Sequence, residues 1–262
     1  MALHADSAGT AAYMAGGIDL LAALKTGVFL EDVIHLRSLP DWNSIIEWED
    51  AIAIGGGTTH QAFADSRPMR AMYPTLCDAW SKIANHRIRI KGTVAGNLMA
   101  RNQSYDLPIV AIAAGAQVEF LDTSLVRRRV TADRISELPQ GALLTRMTLP
   151  RARCLAFAAQ LQWKPIVAFA LSFRREQDTV VGRIAVGCGY ETVAFSSIPL
   201  QYCLFDHRAR ETPADITERL CSSLPSPSSD WCAGAEYRLH LLKVLVRREI
   251  EQIRVVGPSH EG

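Results

Sequence analysis

The chain has 262 residues, which is long enough for one large domain or two of moderate size. Hydrophobic residues make up 48% and charged residues 21% of it, proportions typical of a packed globular protein. The formal net charge of +1 gives no indication of a nucleic-acid or anionic-membrane partner, and no apolar run approaches the ~20 residues that a membrane-spanning helix needs.

The first predicted unit surrounds a glycine turn. Residues 11–14 form a short apolar strand that leads into the turn at residues 15–19, which reads Ala-Gly-Gly-Ile-Asp. Apolar residues at helical spacing follow, and they stop at residues 25–27, Lys-Thr-Gly, a common way to end a helix. Residues 33–36 are predicted to be another strand.

A second strand–turn–helix pattern follows. Residues 51–54 are an apolar strand that ends in three glycines, and Thr58 or Thr59 is placed to cap the helix behind it. His60 would lie in the first turn of that helix, and we interpret it as structural rather than catalytic.

The stretch from Gly92 to Gly115 is central to the interpretation. A helix is predicted from Tyr73, and the alternation of residues 87–91 predicts a strand that enters the small-residue turn of residues 92–97. A polar loop then leads to Asp106 and to a helix over residues 107–114, with a proline in its first turn.

The remaining segments predict an antiparallel sheet, a hairpin and a final helix. The predicted strands are residues 117–121, 127–131, 143–150, 166–173 and 180–186, and the predicted helix spans residues 235–253. Residues 222–229, rich in Ser and Pro, predict a surface loop. A change of composition after Pro150 places a domain boundary near that position.

The two glycine turns suggest that a nucleotide pyrophosphate is held between them. Small residues leave backbone N–H groups uncovered, and Asn97 and Asp106 add hydrogen-bonding side chains on either side of the second turn. The Rossmann and P-loop fingerprints are missing, as are G-x-S-x-G and H-E-x-x-H. From the residues alone, nucleotide binding and purely structural turns therefore remain equal alternatives.

The six cysteines are scattered, and none forms a C-x-x-C pair, so the usual zinc and iron–sulfur spacings are missing from this chain. The N-terminus lacks the basic and apolar regions of a secretory signal. We therefore expect free thiols, no metal ligand set and a cytoplasmic location.

Several motifs occur in one order along nearly the whole chain. They are Ala-Gly-Gly-Ile-Asp-Leu-Leu at 15–21, Ile-Gly-Gly-Gly-Thr-Thr-His at 54–60, Gly-Thr-Val-Ala-Gly-Asn at 92–97, Asp-Leu-Pro at 106–108, Leu-Leu-Thr at 143–145, Ala-Glu-Tyr-Arg at 235–238 and Leu-Val-Arg-Arg at 245–248. In this order they resemble the FAD-binding medium subunit of the molybdenum hydroxylases, a family that includes carbon monoxide dehydrogenase and xanthine dehydrogenase.

The resemblance implies an α+β fold. A two-subdomain FAD-binding domain, like that of the PCMH/vanillyl-alcohol-oxidase group, would cover residues 1–150, with subdomains at about 1–50 and 51–150. A small α+β C-terminal domain would cover residues 151–262. The FAD site implied by the resemblance consists of Ala15, Gly16, Gly17, Ile18, Asp19, Thr93, Ala95, Gly96, Asn97, Asp106 and Leu144. The two turns would meet the pyrophosphate and ribityl chain through backbone N–H groups, and Leu144 would lie near the isoalloxazine ring.

The sequence departs from the family pattern at four points. Ala95 replaces a glycine, which would strain the turn if that position needs a positive φ. Residues 89–93, Arg-Ile-Lys-Gly-Thr, differ from the usual Arg-Asn-x-Gly-Thr. A basic residue expected after the Leu-Leu-Thr strand is not evident, because Ala-Ala-Gln occupies residues 158–160. Only 14 residues precede Ala15, where the family has a further strand and helix, so FAD is expected to be enclosed less completely or to be covered there by a partner.

The resemblance implies an electron-transfer subunit with no catalytic residue of its own. A large molybdopterin-binding subunit would hydroxylate the substrate, and a small 2Fe-2S subunit would pass electrons to FAD in this chain, within a dimer of heterotrimers. FAD would then reduce an external acceptor. Two alternatives are an assembly subunit with the same fold but weak FAD binding, and a stand-alone flavin oxidoreductase.

Overall fold

The computed structural model describes residues 11–102, 104–150, 154–161, 164–200, 204 and 210–256. The N-terminal unit is a β–α–β arrangement. Strand β1 (Ala11–Met14) leads through the glycine turn into helix α1 (Ile18–Lys25), and β1 pairs in parallel with β2 (Asp32–His35). None of the eight residues of α1, all of which the structure describes, is buried. This unit therefore contributes little to the hydrophobic core.

The central part of the chain forms a five-stranded antiparallel sheet with helices packed on it. The strand order is β3-β4-β7-β5-β6. The strands are β3 (Ile45–Glu47), β4 (Ala51–Gly55), β5 (Gln117–Leu121), β6 (Arg127–Thr131) and β7 (Leu143–Pro150). The helices are α2 (His60–Asp65), α3 (Arg67–Met72), α4 (Pro74–Ser81), α5 (His86–Arg89), α6 (Val94–Met99) and α7 (Asp106–Ala113), and a 3₁₀ helix spans Ala132–Glu137.

The C-terminal part forms a four-stranded antiparallel sheet covered by two helices. Its strand order is β11-β10-β9-β8. The elements are β8 (Cys154–Gln160), β9 (Ala168–Glu176), β10 (Thr179–Gly187), β11 (Ala194–Leu200), α8 (Pro213–Ser222) and α9 (Ala235–Val256). Leu242, Val246 and Ile250 lie at helical spacing on α9 and are buried against this sheet and α8. This spacing explains why the amphipathic pattern predicts the helix.

Helix α7 joins the two sheets. Its residues Leu107 to Ala113 are all buried, and its C-terminal carbonyl groups are bound by the second sheet. Ser172 donates its hydroxyl to the Ala113 carbonyl at 2.6 Å, and Arg174 donates to the Ala114 carbonyl. Because residues of β8, β9 and β10 belong to the same apolar cluster as the central sheet, the core continues past position 150. The domain boundary there stays a prediction.

Most predicted elements are confirmed, and the strands at 117–121, 127–131 and 143–150 have the predicted bounds. The strand predicted at residues 87–91 is wrong. Asn85 accepts a hydrogen bond from the Ile88 N–H at 3.0 Å and caps the short helix α5, so local capping outweighs the alternating pattern. Helix α3 was not predicted as a helix separate from α2. Ser66 caps it, and Pro68 lies in its first turn.

The core of the central region contains a stacked aromatic pair. Phe63 lies on the Trp80 ring with centroids 3.7 Å apart, and both residues are 0% exposed. We expect Phe63→Ala to lower the free energy of unfolding by about 3–5 kcal/mol, because it leaves a cavity and removes ring contacts. Phe29, 77% exposed, is the matched control, and Phe29→Ala should change stability by less than about 0.5 kcal/mol. Urea denaturation followed by circular dichroism measures both, and equal effects would contradict this view of the core.

Candidate cofactor site

A cavity of about 510 Å³ lies between the N-terminal unit, α6, the α6–α7 loop and β7. We refer to it as the main cavity. The structure brings all eleven residues predicted from the sequence to its lining: Ala15, Gly16, Gly17, Ile18, Asp19, Thr93, Ala95, Gly96, Asn97, Asp106 and Leu144. Segments that are about 80 residues apart in the sequence thus line one cavity.

The first wall is the β1–α1 turn. Gly17 caps α1 with φ of 78°, a backbone angle that favours glycine, and it has no side chain to accept from the first-turn N–H groups. A Cβ at Gly16 would lie 2.0 Å from the Lys91 carbonyl oxygen, so only glycine allows the two segments to touch. N–H groups at the start of a helix, with no side-chain cap, suit an anionic group.

The second wall is the segment from Thr93 to Asn97, and here the structure corrects two expectations. The segment is not an open turn. It is the start of α6, capped by the Thr93 hydroxyl. Ala95 lies inside this helix and has no positive φ, so its substitution for glycine causes no backbone strain.

The expected contact through backbone N–H groups is also wrong for residues 94–97. These N–H groups already donate at 2.8–3.1 Å to the carbonyl groups of Thr58, Gly56 and Thr93 and to the Thr93 hydroxyl. The side chain of Asn97 is different. Its Oδ1 is buried and accepts no hydrogen bond in the structure of the described residues. A buried amide oxygen without a donor costs free energy, so this atom indicates a ligand that brings an N–H or O–H group.

The third wall is polar and contains residues that the sequence analysis missed. Lys164 forms an ion pair with Asp106 and donates to the Ser104 carbonyl. Lys164, which the sequence did not point to, thus brings a basic side chain to the lining of the main cavity. The Tyr105 hydroxyl donates to Asp19 and so links this wall to the first. Burial and then this bond to Asp19 raise the pKa of Tyr105 to about 12, so the phenol stays protonated at neutral pH.

The floor of the main cavity is apolar. Leu144, on β7, is 1% exposed, and Ala142, Leu143, Met99 and Leu36 also line this side. Apolar side chains exclude water and offer a surface for a flat, uncharged ring system. The cavity therefore combines an apolar region, an unpaired amide oxygen and an anion-compatible helix start.

His60 also lines the main cavity, although it is 1% exposed. Burial, and secondarily the charge of Arg89, lower its pKa to about 4. Its ring lies 6.1 Å from the Trp80 ring and borders Gly92. At neutral pH it is an uncharged imidazole packed behind the wall, in keeping with a structural role.

A second cavity of about 380 Å³ adjoins the first, and Ala15, Gly16 and Thr93 line both. We refer to it as the second cavity. Its lining adds two cationic side chains, Arg37 and Lys91. The pair of cavities thus offers an apolar chamber and a positively charged one on either side of the glycine contact.

Fold and site together define a nucleotide-cofactor-binding α+β protein. Residues 1–152 match the family model described as the FAD binding domain in molybdopterin dehydrogenase. The chain belongs to this family, and it is an oxidoreductase component with an FAD-binding domain.

Relatives with established names agree with this assignment. The chain is 26% identical over 255 residues to the carbon monoxide dehydrogenase medium chain of Afipia carboxidovorans, covering 92% of this chain and 88% of that protein. It is 24% identical to the xanthine dehydrogenase FAD-binding subunit of Escherichia coli O157:H7, covering 91% and 87% of the two chains. Quinoline 2-oxidoreductase from Pseudomonas putida 86 has a similar fold, with a TM-score of 0.78, 21% identity and coverage of 95% and 90%.

Three further observations concern the described residues only. None of their helices is long and apolar enough to cross a membrane. They also contain no group of three or more His, Cys, Asp or Glu side chains arranged to bind a metal ion. The cysteines described, Cys77, Cys154, Cys188, Cys221 and Cys232, are free.

The lowered pKa of His60 predicts how stability depends on pH. Between pH 6.5 and about 4, the unfolded chain binds a proton at His60 that the folded chain does not. The free energy of unfolding should therefore fall as the pH is lowered through this window, by roughly 3 kcal/mol in total from this group. Urea denaturation of wild type and His60→Gln above, within and below the window measures the difference. Parallel pH profiles of the two proteins would contradict it.

Proposed function

We propose that this chain is the FAD-binding electron-transfer subunit of a multi-subunit molybdenum hydroxylase. It would take electrons from a 2Fe-2S partner and pass them to an external acceptor. The observation that carries the proposal is the single cavity lined by all eleven predicted residues, in a chain of this FAD-binding family. Bound FAD supplies reversible one- and two-electron chemistry.

The described residues fit FAD in separate ways. The uncapped start of α1 suits the pyrophosphate, and Arg37 and Lys91 of the second cavity favour its negative charge. The unpaired Oδ1 of Asn97 would accept from a hydroxyl or N–H group of the cofactor. The apolar wall at Leu144 would contact the isoalloxazine ring and exclude water from it.

Asp106 and Lys164 supply opposite charges to the same region. The Asp106 carboxylate accepts hydrogen bonds, and the Lys164 ammonium donates them. In this proposal they orient polar groups of FAD and set the local electrostatic potential, while the chain needs no general base of its own. His60, uncharged at neutral pH because its pKa is about 4, is not required for proton transfer.

The proposed partners are a large molybdopterin-binding subunit and a small 2Fe-2S subunit, arranged as a dimer of heterotrimers in the cytoplasm. The names of the relatives, a medium chain and an FAD-binding subunit, support a multi-subunit assembly. The alternative of an assembly subunit with weak FAD binding loses the support of Ala95, since this residue is unstrained in α6.

Copurification from the native host tests the proposal as a whole. The complex should contain FAD, iron and molybdenum in fixed ratio, and the isolated chain should take up FAD with flavin absorbance. A chain that shows no flavin absorbance even after FAD addition would refute the assignment.

Asn97 provides a sharper test of the site. Asn97→Leu removes an oxygen that has no partner among the described residues, so the apo protein should keep its stability within about 0.5 kcal/mol. The same change should weaken FAD binding by about tenfold, because the cofactor loses a hydrogen-bond acceptor. Flavin fluorescence titration and urea denaturation measure the two effects.

Asn85 is the control with the opposite expectation. Its side chain already accepts from Ile88 N–H as the cap of α5, and it is not among the residues that line the main cavity. Asn85→Leu should cost about 1 kcal/mol of stability and leave FAD affinity nearly unchanged. If both variants lose FAD affinity equally, Asn97 has no direct role.

A further inference from the structure

Arg238, near the start of α9, is an unusual residue for a helix that packs on a sheet. It is 2% exposed, so its guanidinium is buried. Its counter-ion is Asp230, 2.6 Å away, whose side chain is 42% exposed. A buried charge of this kind costs desolvation free energy, and an apolar side chain would often stabilise a fold better. The position therefore calls for an explanation beyond packing.

The guanidinium of Arg238 binds the chain that carries Lys164. Nη1 donates to the Pro165 carbonyl at 2.9 Å and also to the Ile166 carbonyl. The site is built for this side chain, because a Cβ at Gly189 would lie 2.7 Å from Arg238 Cδ. One side chain thus joins α9, the 228–234 loop and the segment before β9.

Lys164 immediately precedes Pro165 and Ile166, the two residues that Arg238 anchors, and it lines the main cavity. Its ammonium contacts Asp106 and the Ser104 carbonyl. With the backbone of residues 165 and 166 fixed by two hydrogen bonds, the stem of Lys164 starts from a fixed point. Without them, the backbone that carries this long, flexible side chain could shift, and the ammonium would meet Asp106 and Ser104 in a less fixed geometry.

We propose that Arg238 is a positioning residue for the cofactor site, which holds Lys164 in the wall of the main cavity by binding the carbonyl groups of Pro165 and Ile166. This role deepens the proposed function and rests on it for the identity of the cofactor. It connects the final helix of the chain to a cavity formed mainly by the first 150 residues.

The first test needs no cofactor. In the apo protein, the acylation rate of each lysine by an amine-reactive ester is followed by mass spectrometry. Arg238→Met should raise the rate at Lys164 by about fivefold, because the ion pair with Asp106 loses its fixed geometry. The internal control is Lys243, which lies on α9 like Arg238 and pairs with Glu218 of α8 at 2.7 Å. An equal rise at Lys243 would mean that α9 as a whole has loosened, and this would overturn the proposal.

The second test is a double-mutant cycle on FAD affinity, with Lys164→Met, Arg238→Met and the double variant. Each single change should weaken FAD binding, by about tenfold for Lys164→Met. If Arg238 acts through Lys164, Arg238→Met should cause little further loss once Lys164 is replaced. Additive effects would overturn the positioning role.

Arg219→Met is the matched control for loss of an arginine in the same region. Arg219 pairs with Glu211 and donates to the Pro199 carbonyl at 2.7 Å, a similar set of contacts that does not reach the main cavity. It should leave both Lys164 reactivity and FAD affinity unchanged. If wild type binds no FAD, the proposed function fails, while the acylation result still decides whether Arg238 positions Lys164.

Discussion

The burial of helix α7 is the constraint on which the rest of the structure depends. Its apolar residues from Leu107 onward pack into a core shared by both sheets, and the second sheet binds its C-terminal carbonyl groups. Because the C-terminal end of α7 is fixed by these contacts, its N-terminal end is held in place as well. Asp106 is therefore held at the edge of the main cavity, where a carboxylate also suits the positive end of the helix dipole.

The walls of the main cavity at α1 and at α6 offer different groups to a ligand. At α1, glycine leaves backbone N–H groups for an anion, whereas at α6 the fold pairs those groups itself and leaves one amide oxygen without a donor. The opposing wall is held by side-chain pairs between Tyr105 and Asp19 and between Lys164 and Asp106. In the proposed function, FAD would therefore meet backbone N–H groups at α1 and side chains at the other walls, rather than two equivalent loops.

Much of the fold and a large part of the lining of the main cavity were predictable from the sequence. Regular alternation gave the bounds of the strands at 117–121 and 143–150, and the site residues lie in short motifs that keep their order. Lys164 was missed because its place in the wall depends on tertiary contacts, and it stands 58 positions after Asp106 with no local pattern to mark it. The helix at residues 86–89 was not predicted, because the Asn85 side chain caps it and this cap outweighs the alternating pattern of apolar residues.

The shallow attachment of α1 has a thermodynamic consequence. Its residues are not buried, and among the described contacts the turn before it is held by the close approach of Gly16 to Lys91 and by the bond from Tyr105 to Asp19. A segment with so little apolar burial opens at low free energy. A ligand that binds only when this segment is folded against the cavity stabilises that folded form by mass action. The folded fraction of the segment should therefore rise with the occupancy of the site. In the proposed function, the segment that meets FAD would thus also be the one whose folded form FAD stabilises.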